Sequence, residues 1–458
     1  MGSLRLPLFL LFLAWVGFER CSGGRIPVYR VPRTLIPSLQ FSKTSVDISL
    51  ASSNEYAYLV QIEVGGQSFK VLLDTGSSDL WVVSSDCTVD DCRGVPKYAR
   101  SPSLALAGMS FHLDYLSGSV SGLVGTETIT LGEYQIASQI FALANSTTGL
   151  GLASTGNSGI LGLAFPAEAS IPDTIGRTLV LNLLSGLNDS SARYFAFQLG
   201  GSSSGSSFTV GEVDPAFAKS ADDLTSTPVF RAPGALYDYW KLPLQSFTIN
   251  GTSFALSKTN VKGAPAPIAV LDTGTTLILG PTQDVSRFWE SVGGARQTDR
   301  GWEVPCNRAV NVGMILGQGS SRKEYAIDPA DISWKEGSVD GGTWCLGGLQ
   351  GNDGVFAADW LLGDTFLRNV YVTHHSGTDS QPPTIGLLGI TDPRTALAAF
   401  IRERGQDPLP RAYVRSNPPG SGSLTGAEIC GIATAGGFVG GILVIVLVFT
   451  CIAFRRKY

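Results

Sequence analysis

The chain has 458 residues, enough for two sizeable domains with appendages. Only 16% of them are charged while glycines number 55, a balance that favours a strand-rich, turn-rich body and disfavours a helical or disordered one. The formal net charge is −5 and no run of roughly five or six basic residues occurs, which excludes nucleic acid as a partner on electrostatic grounds.

In chain order, residues 1–24 place Arg5 ahead of the apolar stretch from Leu6 to Phe18 and then polar and small residues. That is the layout of a signal peptide, since the apolar stretch is too short to span a bilayer. Residues 25–45 carry Arg25, Arg30, Arg33 and Lys43 with no acid, interrupted by Pro27, Pro32 and Pro37. This basic, irregular leader reads either as a short prosegment whose cations sit against an acidic site until removal, or as a solvated arm. The run from Tyr56 to Val64 alternates as a strand and ends at Gly65-Gly66, a hairpin signal. Gly200 to Ser207 is a Gly/Ser loop, and Asp222 to Pro228 is a polar stretch suited to a crossover between two lobes, 46–224 and 225–401.

Residues 402–431 read as an extended extracytoplasmic stem. Ile432 to Phe454 gives 23 residues without a charge, followed at once by Arg455-Arg456-Lys457. The expectation is a transmembrane helix over 432–454 and a cytoplasmic tail over 455–458, a single-pass type I protein of the secretory pathway at the cell surface or in a vacuole-like or endosome-like compartment. A glycolipid-anchor signal is the rival reading, from the small residues Gly420 to Ser423; the basic terminus argues against it. Gly436, Gly437, Gly440 and Gly441 form two overlapping Gly-x-x-x-Gly patterns through which the helices could pair, and the body itself reads as a monomer.

Of seven cysteines, Cys21 leaves with the signal and Cys430 and Cys451 belong to the membrane end. Cys87, Cys92, Cys306 and Cys345 remain; they allow three pairings, of which the local one, Cys87 with Cys92 and Cys306 with Cys345, is the simplest in an oxidising compartment. Sequons begin at Asn145, Asn188 and Asn250 and agree with that compartment. No Cys-x-x-Cys or His-Glu-x-x-His spacing occurs, so no metal site and no cofactor are expected.

The triplet Asp-Thr-Gly occurs twice, as Asp74-Thr75-Gly76 and Asp272-Thr273-Gly274, each behind an apolar run and ahead of hydroxyl residues. One copy would mark a turn. A second landmark repeats with the pair: Ile160-Leu161-Gly162 lies after the first and Leu361-Leu362-Gly363 after the second, 88 positions from Asp74 to Gly162 and 91 from Asp272 to Gly363. Such spacing reads as an internal duplication in which each half supplies one carboxylate. Two carboxylates about 4 Å apart repel by about 4 kcal/mol at an effective dielectric of about 20, so they share one proton and titrate as a unit. The ionised member can then deprotonate water while the protonated member donates to a carbonyl oxygen, which is the chemistry of amide hydrolysis without a covalent intermediate. Ser77 and Thr275, three residues after each Asp, are placed to hydrogen-bond the outer carboxylate oxygens, and Gly76 and Gly274 let the backbone turn closely beneath.

These residues, with Leu80-Trp81-Val82, Gly159 to Pro166 and Leu361 to Arg368, resemble the pepsin-like aspartic proteases over roughly 55–391. The resemblance implies an all-β, bilobal acid-protease fold with the cleft between two pseudo-symmetric lobes, to which the chain adds one C-terminal transmembrane helix. It implies disulfides at the two local cysteine pairs, and an extended peptide or protein substrate with apolar side chains on both sides of the cut bond. By the same resemblance Thr75 and Thr273 brace the dyad from below, and Tyr115, Ser117 and Gly118 belong to a flap whose tyrosine is bonded by Trp81. Ile160 and Thr276 complete the expected substrate-binding set. Leu116 departs from the family, many of whose members carry glycine there. Two rivals remain. A Ser nucleophile at Gly201-Ser202-Ser203-Ser204-Gly205 lies in a low-complexity loop in a chain with three histidines; the other is an inactive binding or adhesion module on the same fold.

Overall fold

The computed structural model describes residues 24–32, 56–200, 205–355, 357–378 and 380–407. The expected signal peptide up to position 23, the Gly/Ser loop at 201–204, the stem beyond 407, the membrane helix and the tail lie outside the described residues. Among the described residues no helix is long and apolar enough to cross a membrane.

Each half repeats one strand arrangement. In the first, Gln67–Asp74 runs parallel to Gly159–Gly162, which is antiparallel to Leu80–Val83. In the second, Ile268–Leu271 runs parallel to Trp360–Leu362, which is antiparallel to Ile278–Gly280. The two sequence landmarks are therefore the strands inserted between the aspartate strand and the strand after its turn. Both landmark glycines are there for close approach: a Cβ on Gly162 would meet the Ser78 carbonyl carbon at 2.5 Å, and one on Gly363 the Thr275 oxygen at 2.2 Å. Eight-stranded sheets carry both halves, with a further four-stranded sheet in the second. The Gly65-Gly66 hairpin forms as expected, with both glycines at positive φ. One hydrophobic cluster runs from the strands of the first half to those of the second.

A six-stranded sheet joins the halves, in the order Gly24–Ile26, Ser207–Val210, Tyr194–Gln198, Val370–His375, Thr384–Gly389, Thr225–Pro228. It corrects two expectations. The described part of the leader, up to Pro32, is not irregular, because Gly24–Ile26 pairs with Ser207–Val210 and Val28–Pro32 pairs with Tyr56–Val64; the rest of it, 33–45, lies outside the described residues. Pro27 falls between the two strands and Pro32 at the end of the second, where no ladder donor is needed. Of its cations, Arg25 lies 3.2 Å from Asp214 and Arg30 acts on Tyr58 and Asp331, while Arg33 and Lys43 lie outside the described residues. The polar crossover likewise includes a strand, Thr225–Pro228, paired with Thr384–Gly389.

At the centre of this shared sheet His374 is fully buried, and neither ring nitrogen has a hydrogen-bond partner among the described residues. Phe195 stacks on it at 4.6 Å, Phe197 at 5.2 Å, and Trp240 meets it edge-on at 4.7 Å. Burial pushes the imidazole down to about 3. An unfolded histidine titrates near 6.5, so between about 6.5 and 3 the unfolded chain binds a proton that the folded chain refuses. Stability falls with decreasing pH across that window, by about 1.4 kcal/mol per unit from this group. We expect His374→Phe to raise the midpoint of thermal unfolding at pH 4 relative to its effect at pH 7, compared by calorimetry at both pH values. An equal shift at the two would rule out a neutral, buried imidazole.

Candidate active site

Asp74 closes its strand and Asp272 follows its own, and both carboxylates are buried, at 4% and 8% exposure. Their local bonds are duplicates. Asp74 accepts the Gly76 N–H on Oδ1 at 2.8 Å and the Ser77 hydroxyl on Oδ2 at 2.5 Å. Asp272 accepts the Gly274 N–H on Oδ1 at 2.8 Å and the Thr275 hydroxyl on Oδ2 at 2.6 Å. Each carboxylate is thus held by both residue types the sequence pattern placed around it.

Beneath them the two threonines cross over. The Thr75 hydroxyl donates to the Leu271 carbonyl at 2.8 Å and accepts the Thr273 N–H at 3.0 Å. The Thr273 hydroxyl donates to the Leu73 carbonyl at 2.7 Å and accepts the Thr75 N–H at 3.0 Å. The glycines cross over as well, for a Cβ on Gly76 would stand 2.5 Å from Asp272 Oδ1 and one on Gly274 2.5 Å from Asp74 Oδ1. The lack of a side chain at each triplet's third position is what lets the opposite carboxylate come close.

Both carboxyls are pushed above the ordinary carboxylate range, and burial is the main cause in each. For Asp74 the negative charge of Asp272 adds to it, while the Ser77 and Gly76 bonds pull the other way. For Asp272 the bonds from Thr275 and Gly274 offset burial, as does a hydrogen bond with Asp74. Because the surroundings are near duplicates, the retained proton belongs to the pair and not to either member.

The expected flap is a hairpin of Ala105–Tyr115 and Gly118–Leu131, with Tyr115 and Gly118 as its last pair and Leu116 and Ser117 at the tip. Trp81 Nε1–H donates to the Tyr115 hydroxyl at 2.8 Å. The phenol proton is held on mainly by burial and then by the charge of Asp74, with hydrogen bonds to Trp81 and Ser77 acting the other way. Neither tip residue has a positive φ, so Leu116 stands without backbone strain, its side chain 67% exposed. Gly118 is required by contact: its Cβ would lie 2.0 Å from the Thr148 oxygen of the neighbouring strand.

Ile160 packs in the cluster that holds Trp81 and Tyr115. Thr276 departs from expectation. It is 1% exposed, its carbonyl takes the Thr365 N–H at 2.8 Å, and it presents almost no surface to a substrate. Cys87–Cys92 and Cys306–Cys345 are both bonded. Asn145, Asn188 and Asn250 are exposed. Among the described residues no cluster of His, Cys, Asp or Glu is suited to a metal ion.

Three polar residues beside the dyad were not singled out by the sequence. Asp79 is buried and accepts the Ser170 N–H at 2.7 Å and the Ile171 N–H at 3.2 Å, which ties down the segment after Gly162. Tyr239 donates its hydroxyl to Glu168 Oε2 at 2.8 Å across the two halves. The one local signal was Asp79 itself, an acid directly before the apolar run Leu80-Trp81-Val82.

Residues 55–386 match the family model for eukaryotic aspartyl protease. The chain is 30% identical to cathepsin D of Dictyostelium discoideum over 395 residues, 82% of this chain and 97% of that protein. It is 28% identical to chymosin of Camelus dromedarius, covering 70% of this chain and 79% of the relative, and 28% identical to pepsin A of Bos taurus, covering 71% and 82%.

The crossed hydroxyls carry a stability expectation. Thr75→Val removes one donor and one acceptor from a buried network and leaves the Leu271 carbonyl and the Thr273 N–H unpaired, a loss of about 2–4 kcal/mol. Urea unfolding at pH 5 measures it, and Thr75→Ser should restore most of the loss. A valine variant within about 0.5 kcal/mol of the parent would refute the bracing role.

Proposed function

Since the chain belongs to the eukaryotic aspartyl protease family and is an aspartic endopeptidase, we propose that Asp74 and Asp272 are its catalytic pair and that a membrane helix tethers it. The observation that carries the first part is the duplicated bonding of two buried carboxylates that keep one proton between them. In the reaction a water between the carboxyls gives a proton to the ionised member as its oxygen bonds to the peptide carbonyl carbon. The protonated member donates its proton to the carbonyl oxygen, giving a neutral tetrahedral diol. Return of a proton from the pair to the nitrogen, with cleavage of the C–N bond and loss of a diol proton to the other carboxylate, releases acid and amine and leaves one proton on the pair. Every proton is accounted for and no covalent enzyme intermediate forms.

The flap would cover an extended peptide, with Tyr115 held over the dyad by Trp81. Apolar side chains would sit near the cluster that includes Ile160. Residues 25–45 remain a candidate prosegment; two of its stretches are paired strands, so removal must be accompanied by repacking of the sheet they leave.

The tether rests on the uncharged run 432–454 ahead of three basic residues. Where the described body ends, Arg308 Nη1 holds Asp407 at 2.7 Å, beside the helix Pro393–Arg404, whose last arginine donates to the Cys306 and Ser333 carbonyls. The stem would therefore leave from the second lobe. Helix pairing and glycans at Asn145, Asn188 and Asn250 belong to the same reading.

Asp74→Asn and Asp272→Asn should each lower kcat/KM on denatured protein between pH 3 and 6 by about a thousandfold or more, with the fold preserved by circular dichroism. Cleavage unchanged in both would reject the pair. Truncation after Asp407 should move the protein from the membrane fraction to the soluble fraction with its peptidase activity intact; a full-length chain extracted by carbonate washing would reject the tether.

A further inference from the structure

Glu168 lies six positions after Gly162, the end of the strand beside Asp74. The segment that leads to it is bonded onto the first aspartate turn, with Leu163 N–H on the Asp74 carbonyl at 2.7 Å and Ala164 N–H on the Ser77 carbonyl at 2.8 Å. Glu168 then ends the short turn Pro166–Glu168, and the two N–H groups held by Asp79 follow directly after. Its backbone is fixed on both sides.

The opposite wall comes from the second half. Phe165 N–H donates to the Asp238 carbonyl at 3.0 Å and Trp240 Nε1–H to the Leu163 carbonyl at 2.8 Å, bringing Tyr239 to Glu168. Tyr239 keeps its proton through burial, through its bond to Glu168, and through the nearby charges of Glu168, Asp238 and Asp272. Leu271 N–H donates to the Trp240 carbonyl at 3.0 Å, so the residue after Tyr239 is bonded to the strand that leads into Asp272.

The two nearby acids differ in how they are balanced. Asp238 is matched by Lys241 at 2.6 Å, a lysine buried at 4% exposure and also bonded to the Ala357 carbonyl. Glu168 has only the neutral Tyr239 hydroxyl as a side-chain partner, and among the described residues no Lys, Arg or His stands within ion-pairing distance of it. Tyr239 occupies one oxygen, Oε2, and the carboxylate is half-buried. A half-buried anion that is fixed in position, has a free oxygen and lies beside a peptide cleft is built to receive a cation.

We propose that Glu168 is a specificity-determining residue that selects a basic side chain at one position of the substrate within about three residues of the cut bond. This rests on the reading of Asp74 and Asp272 as the catalytic pair. A bond that merely struts the two halves would affect stability and leave the relative rates of different peptides alone, so a ratio of rates separates the two roles.

Full-length protein in detergent is assayed at pH 5.5. The substrates are quenched fluorescent peptides that differ only in carrying lysine or norleucine at each of the three positions on either side of the bond. At one position the wild type should cut the lysine peptide about tenfold better in kcat/KM, the ratio should fall to about one in Glu168→Gln, and Glu168→Lys should turn the preference toward glutamate at that position. Charge reversal yields a gained preference, which misfolding cannot imitate. No lysine preference at any position, or a ratio unmoved by Glu168→Gln, overturns the proposal. Cleavage of the norleucine peptides and its loss in Asp74→Asn report on the dyad in the same assay, so failure of the specificity reading is distinguished from failure of the catalytic one.

Discussion

The site depends on a pair of hydroxyls that belong to the wrong halves. The Thr75 oxygen satisfies backbone groups of the second lobe, and the Thr273 oxygen satisfies those of the first. Unmet, those four backbone groups would be buried polar atoms at a cost of about 1–3 kcal/mol each, so the lobes are drawn together at the one place where two carboxylates would otherwise keep them apart. The attractive network and the repulsive pair are adjacent by construction. Hydrogen bonds supply the compression, and a shared proton removes most of the resistance to it.

Much of this arrangement could be read from residue order because it is written twice. The matched distances from each aspartate to its glycine landmark correspond to the same three-strand insertion in each half, and the hydroxyl three places after each Asp reaches the oxygen it was expected to reach. Where nothing repeats, residue order was a poorer guide. The strands Gly24–Ile26 and Thr225–Pro228 pair with partners more than 150 positions away, and the prolines at their ends, Pro27 and Pro228, with the polar residues around them describe an irregular chain until those partners are present. Thr276 follows a useful neighbour but turns inward, and Glu168 gains its significance only from Tyr239, 71 positions later.

Two buried titratable features impose opposite pH responses on the same fold. The carboxylate pair holds its proton above the ordinary range, so its contribution to stability is present at low pH and is lost as pH rises through the folded pair's titration. His374 refuses its proton, so its contribution is lost as pH falls below the unfolded value. One group penalises neutrality and the other penalises acidity. Across the window they share, the two slopes oppose one another, one from a group in the cleft and one from the sheet that joins the halves.

The bare third positions of the two triplets have a consequence for the life of the chain. Gly76 makes room for a carboxylate encoded 196 positions later, and Gly274 for one encoded 200 positions earlier. During synthesis the first lobe can complete its strands, its flap and its small disulfide loop while half of its reactive centre has yet to be translated. On the proposed catalytic reading of the pair, a chain whose second half has yet to be made holds one aspartate of the two and does not cut its neighbours. On that reading the capacity for hydrolysis arrives only when the two halves dock, so that crossing them makes docking the condition for reactivity.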